Sequence, residues 1–483
     1  MPQPSIPNWG PRADWEPACP QVVGNAARLG NNRWELIEWF MLVQWLCSII
    51  ILLPGAQAIR LPMRILPYAG NIVLFFAYLD HIPEWTRFPG TIWLTLVFTL
   101  MSAELLHPDT ALIPGLGQVL FCASIALPAF WGGKAVRDKR RLDRILYLTF
   151  IFNAASAVVG FVQAKYGLLM PAEFSSVMLK MDPNKVEELT YVGAGGQVIT
   201  RPAGLSDLPG GAGGAAAYTV VLGTALAVGL RHFGFRSLVY LSIVTIAMIT
   251  LYLTQVRIMF LAAVLGLVLI TWAVALHSVA YGARIILAGI GLLSGAFVYA
   301  VSIGGTSVSD RFATLVSGSP GQMYQENRGG FVQQTVDELL PKYPFGAGLG
   351  RWGMVRTYAS PYVDDSDAPP IYVEIQMTGW LLDGGVMMWL FYGAALLSSL
   401  VYTYRTATEH ADREVRYLAA VVFALNTLLL MMMFDFPVFN NQLGSQFWLL
   451  SSGLAGVCEI SAMGSPDDVP VAHFGTAQAP SLT

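Results

Sequence analysis

The sequence predicts an all-α polytopic membrane protein. Of its 483 residues, 55% are hydrophobic and only 12% are charged, whereas a soluble globular protein carries about 25% charged residues. The apolar residues are gathered in runs near the roughly 20 residues that a helix needs to cross the hydrocarbon core. The 47 glycines and 13 tryptophans agree with this, because glycine lets membrane helices pack closely and tryptophan favours the lipid–water boundary. An ordinary soluble enzyme is excluded.

About twelve apolar runs are predicted to span the membrane as helices. Each carries little or no charge, and the second and third are short enough that one of them could instead be re-entrant. In chain order, the runs are Trp34 to Leu53, Ile65 to Leu79, Thr91 to Leu106, Ala111 to Trp131, Leu142 to Ala164, Ala215 to Leu230, Ser237 to Thr254, Ile258 to His277, Ala283 to Ser302, Gly379 to Tyr404, Tyr417 to Phe434 and Phe439 to Ile460.

The positions of lysine and arginine predict the orientation of the chain in the membrane, because short loops rich in these residues are retained on the cytoplasmic side. A basic cluster from Lys134 to Arg144 decides it, whereas the short external turns hold only Arg60, Arg64 and Arg257. Both chain ends are therefore predicted to lie in the cytoplasm. The predicted organisation is cytoplasmic tails at 1–33 and 461–483, membrane helices at 34–302 and 379–460, an external loop at 165–214, and a large periplasmic loop at 303–378 between helices 9 and 10.

Arginines on the predicted external face are the first candidates for chemistry. Arg257 occupies a tight turn between two apolar runs, so its guanidinium must lie at or just inside the membrane boundary, where it either snorkels or binds an anion. Arg201 lies in the first external loop, and Arg311 and Arg328 lie in the second. Each alone could be a solvated loop charge. Together they offer converging positive charge, carried by planar donor forks that match phosphate.

Two acidic residues are candidates for the same external site. Glu374 stands in the otherwise apolar stretch that leads into the tenth span, and Asp435 stands in the short external turn before the last span. Glu374 could accept a proton from a sugar hydroxyl, or it could be an ion-pair partner for one of the arginines. Asp383, about two turns further into the membrane, is predicted to be structural.

The sequence gives no support for metal, cofactor or nucleic-acid chemistry. A net charge of −3 implies no basic surface large enough for nucleic acid. The four cysteines and six histidines are scattered, and neither long external loop contains histidine, so a histidine metal site or a Ser-His pair is not supported there. The stretch Gly346 to Gly350 is glycine-rich but lacks the strand-to-helix context of a nucleotide loop. The cluster Asp364, Asp365 and Asp367 is interpreted as a solvated loop tip.

Several short motifs share one order along the chain. Arg328 is followed, after a predicted short helix within Phe331 to Leu340, by Pro344-Phe345-Gly346-Ala347-Gly348-Leu349-Gly350. From about Leu142 to Ile460, the chain resembles the bacterial O-antigen ligase and O-antigen polymerase superfamily of integral membrane glycosyltransferases. The other similar features are an Arg-x-x-Gly motif at Arg201 to Gly204, an arginine at a helix start at Arg257, an acidic-x-Gly motif at Asp383 to Gly385, and a terminal helix containing Phe447 to Leu450.

One departure from the family pattern bears on the reaction. Many ligases carry a His-Asn pair about nine residues before the acidic-x-Gly motif, and this sequence has Glu374-Ile375 there. The missing histidine favours a polymerase or exopolysaccharide-type member, with Glu374 in the base or acceptor-positioning role. An O-antigen ligase that transfers the glycan to a lipid A-core or other acceptor is the closest alternative.

The resemblance implies a GT-C-like fold in the bacterial inner membrane and a polyprenyl-diphosphate-linked glycan as donor. The glycan would pass to an acceptor hydroxyl, on a glycan or lipid core, on the periplasmic side without metal or cofactor. The large tyrosine-rich loop with Trp352 would cover the site and stack on sugars. Membrane lipids and other polysaccharide assembly proteins are the further expected partners. The expected site residues are Glu374, Arg257 and Arg328 for catalysis and Arg201, Arg311 and Asp435 for substrate binding.

A flippase for lipid-linked glycans and a secondary transporter are the rival classes. Either would place charged residues within the spans, along a path through the membrane. In this sequence the candidate charges are concentrated in loops on one predicted face, and no internal repeat is evident. The sequence therefore favours chemistry at the external surface over passage across the membrane.

Overall fold

The computed structural model describes residues 34–79, 88–171, 189–229, 234–276, 278–317, 321, 324–359 and 369–462. Within these residues all regular secondary structure is helical except for one antiparallel hairpin, in which β1 (Thr190–Val192) pairs with β2 (Val198–Thr200). Most of the predicted tails and the acidic cluster Asp364, Asp365 and Asp367 lie outside the described residues. The predicted all-α class is confirmed.

Helices stand on both sides of the hairpin in the chain. Those before the hairpin are α1 (Leu36–Ile51), α2 (Gln57–Leu79), α3 (Gly90–Glu104), α4 (Leu112–Ala126), α5 (Pro128–Ala135) and α6 (Lys139–Tyr166). Those after it are α7 (Ala212–Val228), α8 (Phe235–Thr254), α9 (Arg257–Ala275), α10 (Val279–Gly304) and α11 (Thr306–Ser317). The helix α12 then alternates between π-helical turns, Gln325–Gly329 and Thr335–Leu339, and α-helical turns, Gly330–Gln334 and Leu340–Lys342. The last helices are α13 (Gly353–Ala359), α14 (Gln376–Glu409), α15 (Arg413–Met432), a 3-10 turn (Val438–Asn440) and α16 (Gln442–Ala462).

The chain is a multi-pass membrane protein. Each of the twelve predicted apolar runs falls on a helix, and seven helical stretches of the described residues are long and apolar enough to cross a membrane. Three further apolar helices, α1, α3 and α7, are shorter. The total of about twelve spans stays a prediction. The seven long stretches are α4 with α5, α6, α8, α9, α10, α14 and α15.

Small residues let the central helices approach closely. Almost every residue of α7 is buried, and this helix packs between α6, α8 and α9. A Cβ added to Gly223 of α7 would lie 2.6 Å from the side chain of Val244 and 2.9 Å from that of Phe150. Close backbone approach of this kind is the usual source of affinity between helices in a membrane, where burial of apolar surface no longer drives association.

The segment predicted as one large loop, 303–378, is largely helical in its described part, because α11, α12 and α13 lie within it. The predicted short helix at Phe331 to Leu340 is present as the middle of α12. The glycine-rich stretch that follows packs against a break in α14, where Gly385 has a φ of +62°. A Cβ there would lie 2.1 Å from the Pro344 carbonyl oxygen. Gly385 is therefore required by both its backbone angle and its neighbour.

Two backbone hydrogen bonds fix this junction. The amide of Val386 donates to the Pro344 carbonyl at 3.0 Å, and the amide of Ala347 donates to the Leu382 carbonyl at 2.8 Å. Asp383, at the same level, is buried and accepts hydrogen bonds from Gln118 Nε2 at 2.9 Å and Trp352 Nε1 at 2.8 Å. Its predicted structural role agrees with these contacts.

Candidate functional site

Six charged side chains that the sequence singled out come together at one end of the helices. This end, called the site end below, is where α6, α8, α10 and α15 finish and where α7, α9, α14 and α16 begin. Each of the six comes from a different segment. The residues are Arg201 after β2, Arg257 at the start of α9, Arg311 in α11, Arg328 in α12, Glu374 before α14 and Asp435 after α15.

Arg328 links the two carboxylates of the site. Its Nη1 donates to Glu374 Oε1, and its Nε donates to Asp435 Oδ1 at 3.1 Å. The side chains are 31% exposed for Arg328 and 18% exposed for each acid, so all three are partly withdrawn from solvent and still reachable. In this structure, Glu374 is therefore the ion-pair partner of an arginine, which was one of the two roles considered for it.

Gln376 fixes the position of Glu374 relative to Asp435. It is the first residue of α14 and is fully buried. The backbone amide of Gln376 donates to the Met433 carbonyl at 3.1 Å, and its side-chain oxygen accepts from the backbone amide of Phe439 at 2.8 Å. These bonds tie the start of α14 to both sides of the turn that carries Asp435. Two carboxylates 61 positions apart are thereby held on one arginine.

A pair of threonines fixes the helix that carries Arg328. The hydroxyls of Thr335 and Thr378 lie 2.6 Å apart, and both residues are buried. Thr335 belongs to α12 and Thr378 to α14, so this contact holds the two helices together close to Glu374. Arg328 lies seven residues before Thr335, which is two helical turns.

The hairpin places Arg201 at the site end. The hydroxyl of Tyr191 on β1 donates to the Leu253 carbonyl near the end of α8, at 3.0 Å. The Ala194 amide donates to the Ile303 carbonyl at 3.0 Å, which attaches the hairpin turn to α10. The Arg201 amide continues the hairpin pairing by donating to the Leu189 carbonyl at 2.8 Å.

Arg257 and Arg311 are held by the turn between α8 and α9. The turn is tight, as predicted, because Gln255 takes a left-handed conformation with φ +57° and Arg257 begins the next helix. The ring of Phe312 packs on Tyr252 and Phe260, with ring centroids 4.9 Å and 5.3 Å away. This packing brings α11 onto the turn, and Arg257 Nη1 donates to Thr314 Oγ1 at 2.9 Å.

Positive charge is concentrated at the site. Of the six candidate residues four are arginines, and the two carboxylates are both bound to Arg328. Burial, together with the like charges of Arg257 and Arg201, lowers the pKa of Arg311 to about 10. Its Nε is buried with no hydrogen-bond partner among the described residues. A group of like charges with an unsatisfied donor is the arrangement expected for an anion site.

Asp435 is affected by the same arginines. Burial raises the pKa of Asp435 above its ordinary value, while the positive charges of Arg328, Arg201 and Arg257 oppose that rise. Tyr324 lies within the electrostatic reach of this group, because burial and the negative charge of Asp435 raise the pKa of its phenol and Arg328 lowers it. The site therefore includes a tyrosine that the sequence interpretation did not name.

The structure changes one expectation and adds positioning residues. Trp352 was expected to cover the site and stack on sugars, but it is only 2% exposed and donates its indole N–H to Asp383. It cannot reach a substrate from this position. Gln376 and Tyr324 were missed, although Gln376 stands two residues after Glu374 and Tyr324 stands one helical turn before Arg328, which are the signals that could have found them.

Metal ligands are not grouped in the part of the chain that the structure describes. Among those residues, no three or more His, Cys, Asp or Glu side chains are arranged to hold a metal ion. A scan of protein-family models found no match for this chain, and a search of curated proteins found no matching relative.

Proposed function

We propose that this protein is a glycosyltransferase that joins polyprenyl-diphosphate-linked oligosaccharide units on the periplasmic face of a bacterial inner membrane. It would be the polymerase-type enzyme of O-antigen or exopolysaccharide assembly. The observation that carries the proposal is the convergence of Arg201, Arg257, Arg311 and Arg328 with Glu374 and Asp435 at one end of a membrane bundle. This arrangement matches an anionic lipid-linked donor and a hydroxyl acceptor.

The arginines suit a diphosphate leaving group. Negative charge grows on the diphosphate as its bond to the sugar breaks, and donors that are already oriented stabilise that charge without reorganising. Four arginines that converge on one site offer a diphosphate several N–H donors and positive charge. Burial and, next to it, repulsion from Arg257 and Arg201 lower the pKa of Arg311, and an anionic ligand would offset that repulsion.

Glu374 suits the role of general base. In the proposed step, the oxygen of an acceptor hydroxyl attacks the anomeric carbon of the donor, and the bond from that carbon to the diphosphate oxygen breaks. The electron pair of that bond leaves with the polyprenyl diphosphate, and the hydroxyl proton passes to Glu374. Arg328 holds Glu374 in the resting site. A bound diphosphate would compete for Arg328 and so release the carboxylate to accept the proton.

The test uses the purified protein in lipid nanodiscs with a defined polyprenyl-diphosphate-linked repeat unit. We expect products of two or more repeat units together with free polyprenyl diphosphate, measured by mass spectrometry. The variants Arg328→Gln and Glu374→Gln should each lose about 100-fold or more in rate, the usual loss when one stabilising or proton-accepting group is removed. Arg328→Lys should also be slow, because lysine keeps the charge but not the planar fork.

The matched control is Arg284→Gln, which removes an exposed arginine near the other end of α10 and should leave the rate unchanged. Transfer only to a lipid A-core acceptor, without elongation, would identify the ligase reaction instead. If neither product forms with any acceptor, or if Arg328→Gln and Glu374→Gln elongate at the normal rate, the proposal is wrong.

A further inference from the structure

Aromatic rings border the ion pair between Arg328 and Glu374. Tyr324, Arg328 and Phe331 are spaced by four and three residues along the helical segment, so their side chains share one face. The ring of Tyr372 lies against that of Phe331, with centroids 6.2 Å apart and planes inclined at 53°. Tyr372 stands two residues before Glu374. The contact of Phe331 with Tyr372 therefore joins the same two segments as the ion pair, which are α12 and the residues leading into α14.

These rings are accessible. Tyr324 is 37% exposed and Tyr372 is 44% exposed, while Phe331 is half-buried. Trp380, one turn into α14, is only 5% exposed. Rings that only stabilise the fold are expected to be covered by their neighbours. The three rings beside the ion pair instead present surface next to polar groups, which is how sites for amphipathic small molecules are usually lined.

We propose that Tyr324, Phe331 and Tyr372 form a carbohydrate subsite for the terminal sugar of the acceptor. This inference rests on the proposed function and names the groups that recognise its acceptor. A pyranose has an apolar C–H face that packs on an aromatic ring, and hydroxyl edges that bond to phenols and charged groups. A sugar stacked on Tyr372 would present a hydroxyl towards Glu374.

The acceptor, rather than the donor, is favoured by the distribution of charge. Arg201, Arg257 and Arg311 come from the segments around the turn between α8 and α9, and the donor diphosphate is proposed to bind there. The aromatic rings instead flank Glu374, the proposed acceptor of the hydroxyl proton. The two substrates would thus approach Arg328 from different sides. A simple membrane-interface role for the tyrosines would require no such closeness to Glu374.

The test measures transfer to a soluble acceptor oligosaccharide at increasing concentration, with the lipid-linked donor held constant. Tyr372→Ala should raise the KM for the acceptor by about five- to tenfold, the size expected for one lost ring contact, with a smaller change in kcat. Its affinity for inorganic pyrophosphate should stay within twofold of the wild type. Tyr372→Phe, which keeps the ring, should restore most of the acceptor affinity.

The matched control is Tyr299→Ala on α10, which removes a tyrosine of similar exposure that contacts Lys165. This variant should leave the acceptor KM and the pyrophosphate affinity unchanged. Unchanged acceptor KM in Tyr372→Ala would overturn the inference. Equal losses of acceptor affinity, pyrophosphate affinity and thermal stability would also overturn it, because they would show a structural role.

A separate readout distinguishes failure of this inference from failure of the proposed function. If the wild type transfers no sugar, oligosaccharide binding is measured directly by saturation-transfer NMR on the wild type and on Tyr372→Ala. Binding that is weakened by the substitution would support a carbohydrate subsite in a protein with another activity. Binding that is absent, or equal in the two proteins, would overturn the subsite.

Discussion

Arg328 organises the site at the scale of single residues. Its guanidinium bonds to Glu374 with one nitrogen and to Asp435 with another, which is possible because arginine has several donors in a fixed plane. A lysine could contact both acids only as a point charge. One arginine therefore holds both acids, and Arg201, Arg257 and Arg311 lie nearby.

Arg311 should show the signature of a residue kept for binding rather than stability. We expect Arg311→Gln to weaken pyrophosphate binding by roughly 10- to 100-fold, the loss expected for hydrogen bonds to a charged group. The melting temperature without ligand should stay the same or rise, since burial and like charges disfavour the cation in the folded protein. Isothermal titration and thermal unfolding in detergent provide the two measurements.

The pH dependence supplies a check on the same residue. Because the pKa of Arg311 is lowered to about 10, the cation is complete well below that pH, and pyrophosphate affinity should fall as the pH rises through about 10. Arg311→Gln should lack this step. The variant Arg284→Gln serves as control and should keep it. A lower melting temperature for Arg311→Gln together with wild-type affinity would contradict the assignment.

Residue identity was predictable where burial of charge is the main constraint. Arginines beside membrane helices need a partner or a ligand, so Arg201, Arg257, Arg311 and Arg328 could be selected from the sequence. Their grouping could not be derived from sequence distance alone, because Arg201 and Arg328 are separated by five helices. The exclusion of Trp352 from the site was equally unpredictable, because an indole in a loop is compatible with both a sugar contact and a buried hydrogen bond.

At the scale of elements, the break in α14 decides how the glycine-rich stretch meets the helix. Gly384 and Gly385 leave helical geometry, which lets the Val386 amide bond to Pro344 instead of to its own helix. Asp383 stands at the break and bonds to Gln118 of α4 and to Trp352. The Asp383 carboxylate thus joins α14 to α4 and to the segment that carries Trp352.

Asp383 should be replaceable by asparagine but not by alanine. In Asp383→Asn, the side-chain oxygen can still accept from Trp352, and the new amide can donate to Gln118 once that residue turns its own amide around. In Asp383→Ala, two buried donors lose their acceptor, at about 1–3 kcal/mol each. We expect a clear drop in melting temperature and in transfer rate for alanine, and near-normal values for asparagine.

Asn426→Ala separates a general loss of stability from this local effect. Asn426 is buried in α15 and bonds to Ser451 of α16, away from the glycine-rich stretch. Its removal should lower the melting temperature and leave the rate of the folded protein unchanged. An Asp383→Ala protein that melts and transfers like the wild type would show that the joint has no role in holding the site.

The elements were predicted more reliably than their connections. Apolar runs near the length of a span are specified by composition, so all twelve coincide with helices. The segment 303–378 contains charges, glycines and aromatic residues, and its helices α11, α12 and α13 are short or irregular. Their helical state depends on contacts such as Thr335 with Thr378 and Phe312 with Tyr252, which sequence periodicity does not contain.

At the scale of the whole molecule, the proposed reaction requires the site end to face the periplasm. In a variant without native cysteines, Thr306→Cys at the site end should react with a membrane-impermeant maleimide in spheroplasts. Ala411→Cys, between α14 and α15, should react only after the membrane is permeabilised. Both positions are exposed, so the membrane should be what separates them, because positively charged segments are retained on the cytoplasmic side.

Two controls make the labelling decisive. The cysteine-free parent should remain unlabelled, and both single-cysteine proteins should react fully in detergent. Labelling of Ala411→Cys, but not of Thr306→Cys, in spheroplasts would show that the orientation is the opposite of the predicted one. A site facing the cytoplasm would not meet the proposed periplasmic donor, so that result would also count against the proposed function.

The amino-acid sequence alone was enough to recognise a helical membrane protein, to locate its apolar helices and to mark the few charges near their ends that need an explanation. These properties follow from the cost of placing polar groups in hydrocarbon, which acts on each segment independently. The folded chain was needed to show that six of those charges share one site, that Arg328 holds Glu374 and Asp435, and that Tyr372 lies at its edge while Trp352 is buried. The reason is that such grouping depends on how distant helices pack, and close packing is a property of side chains brought together from across the chain.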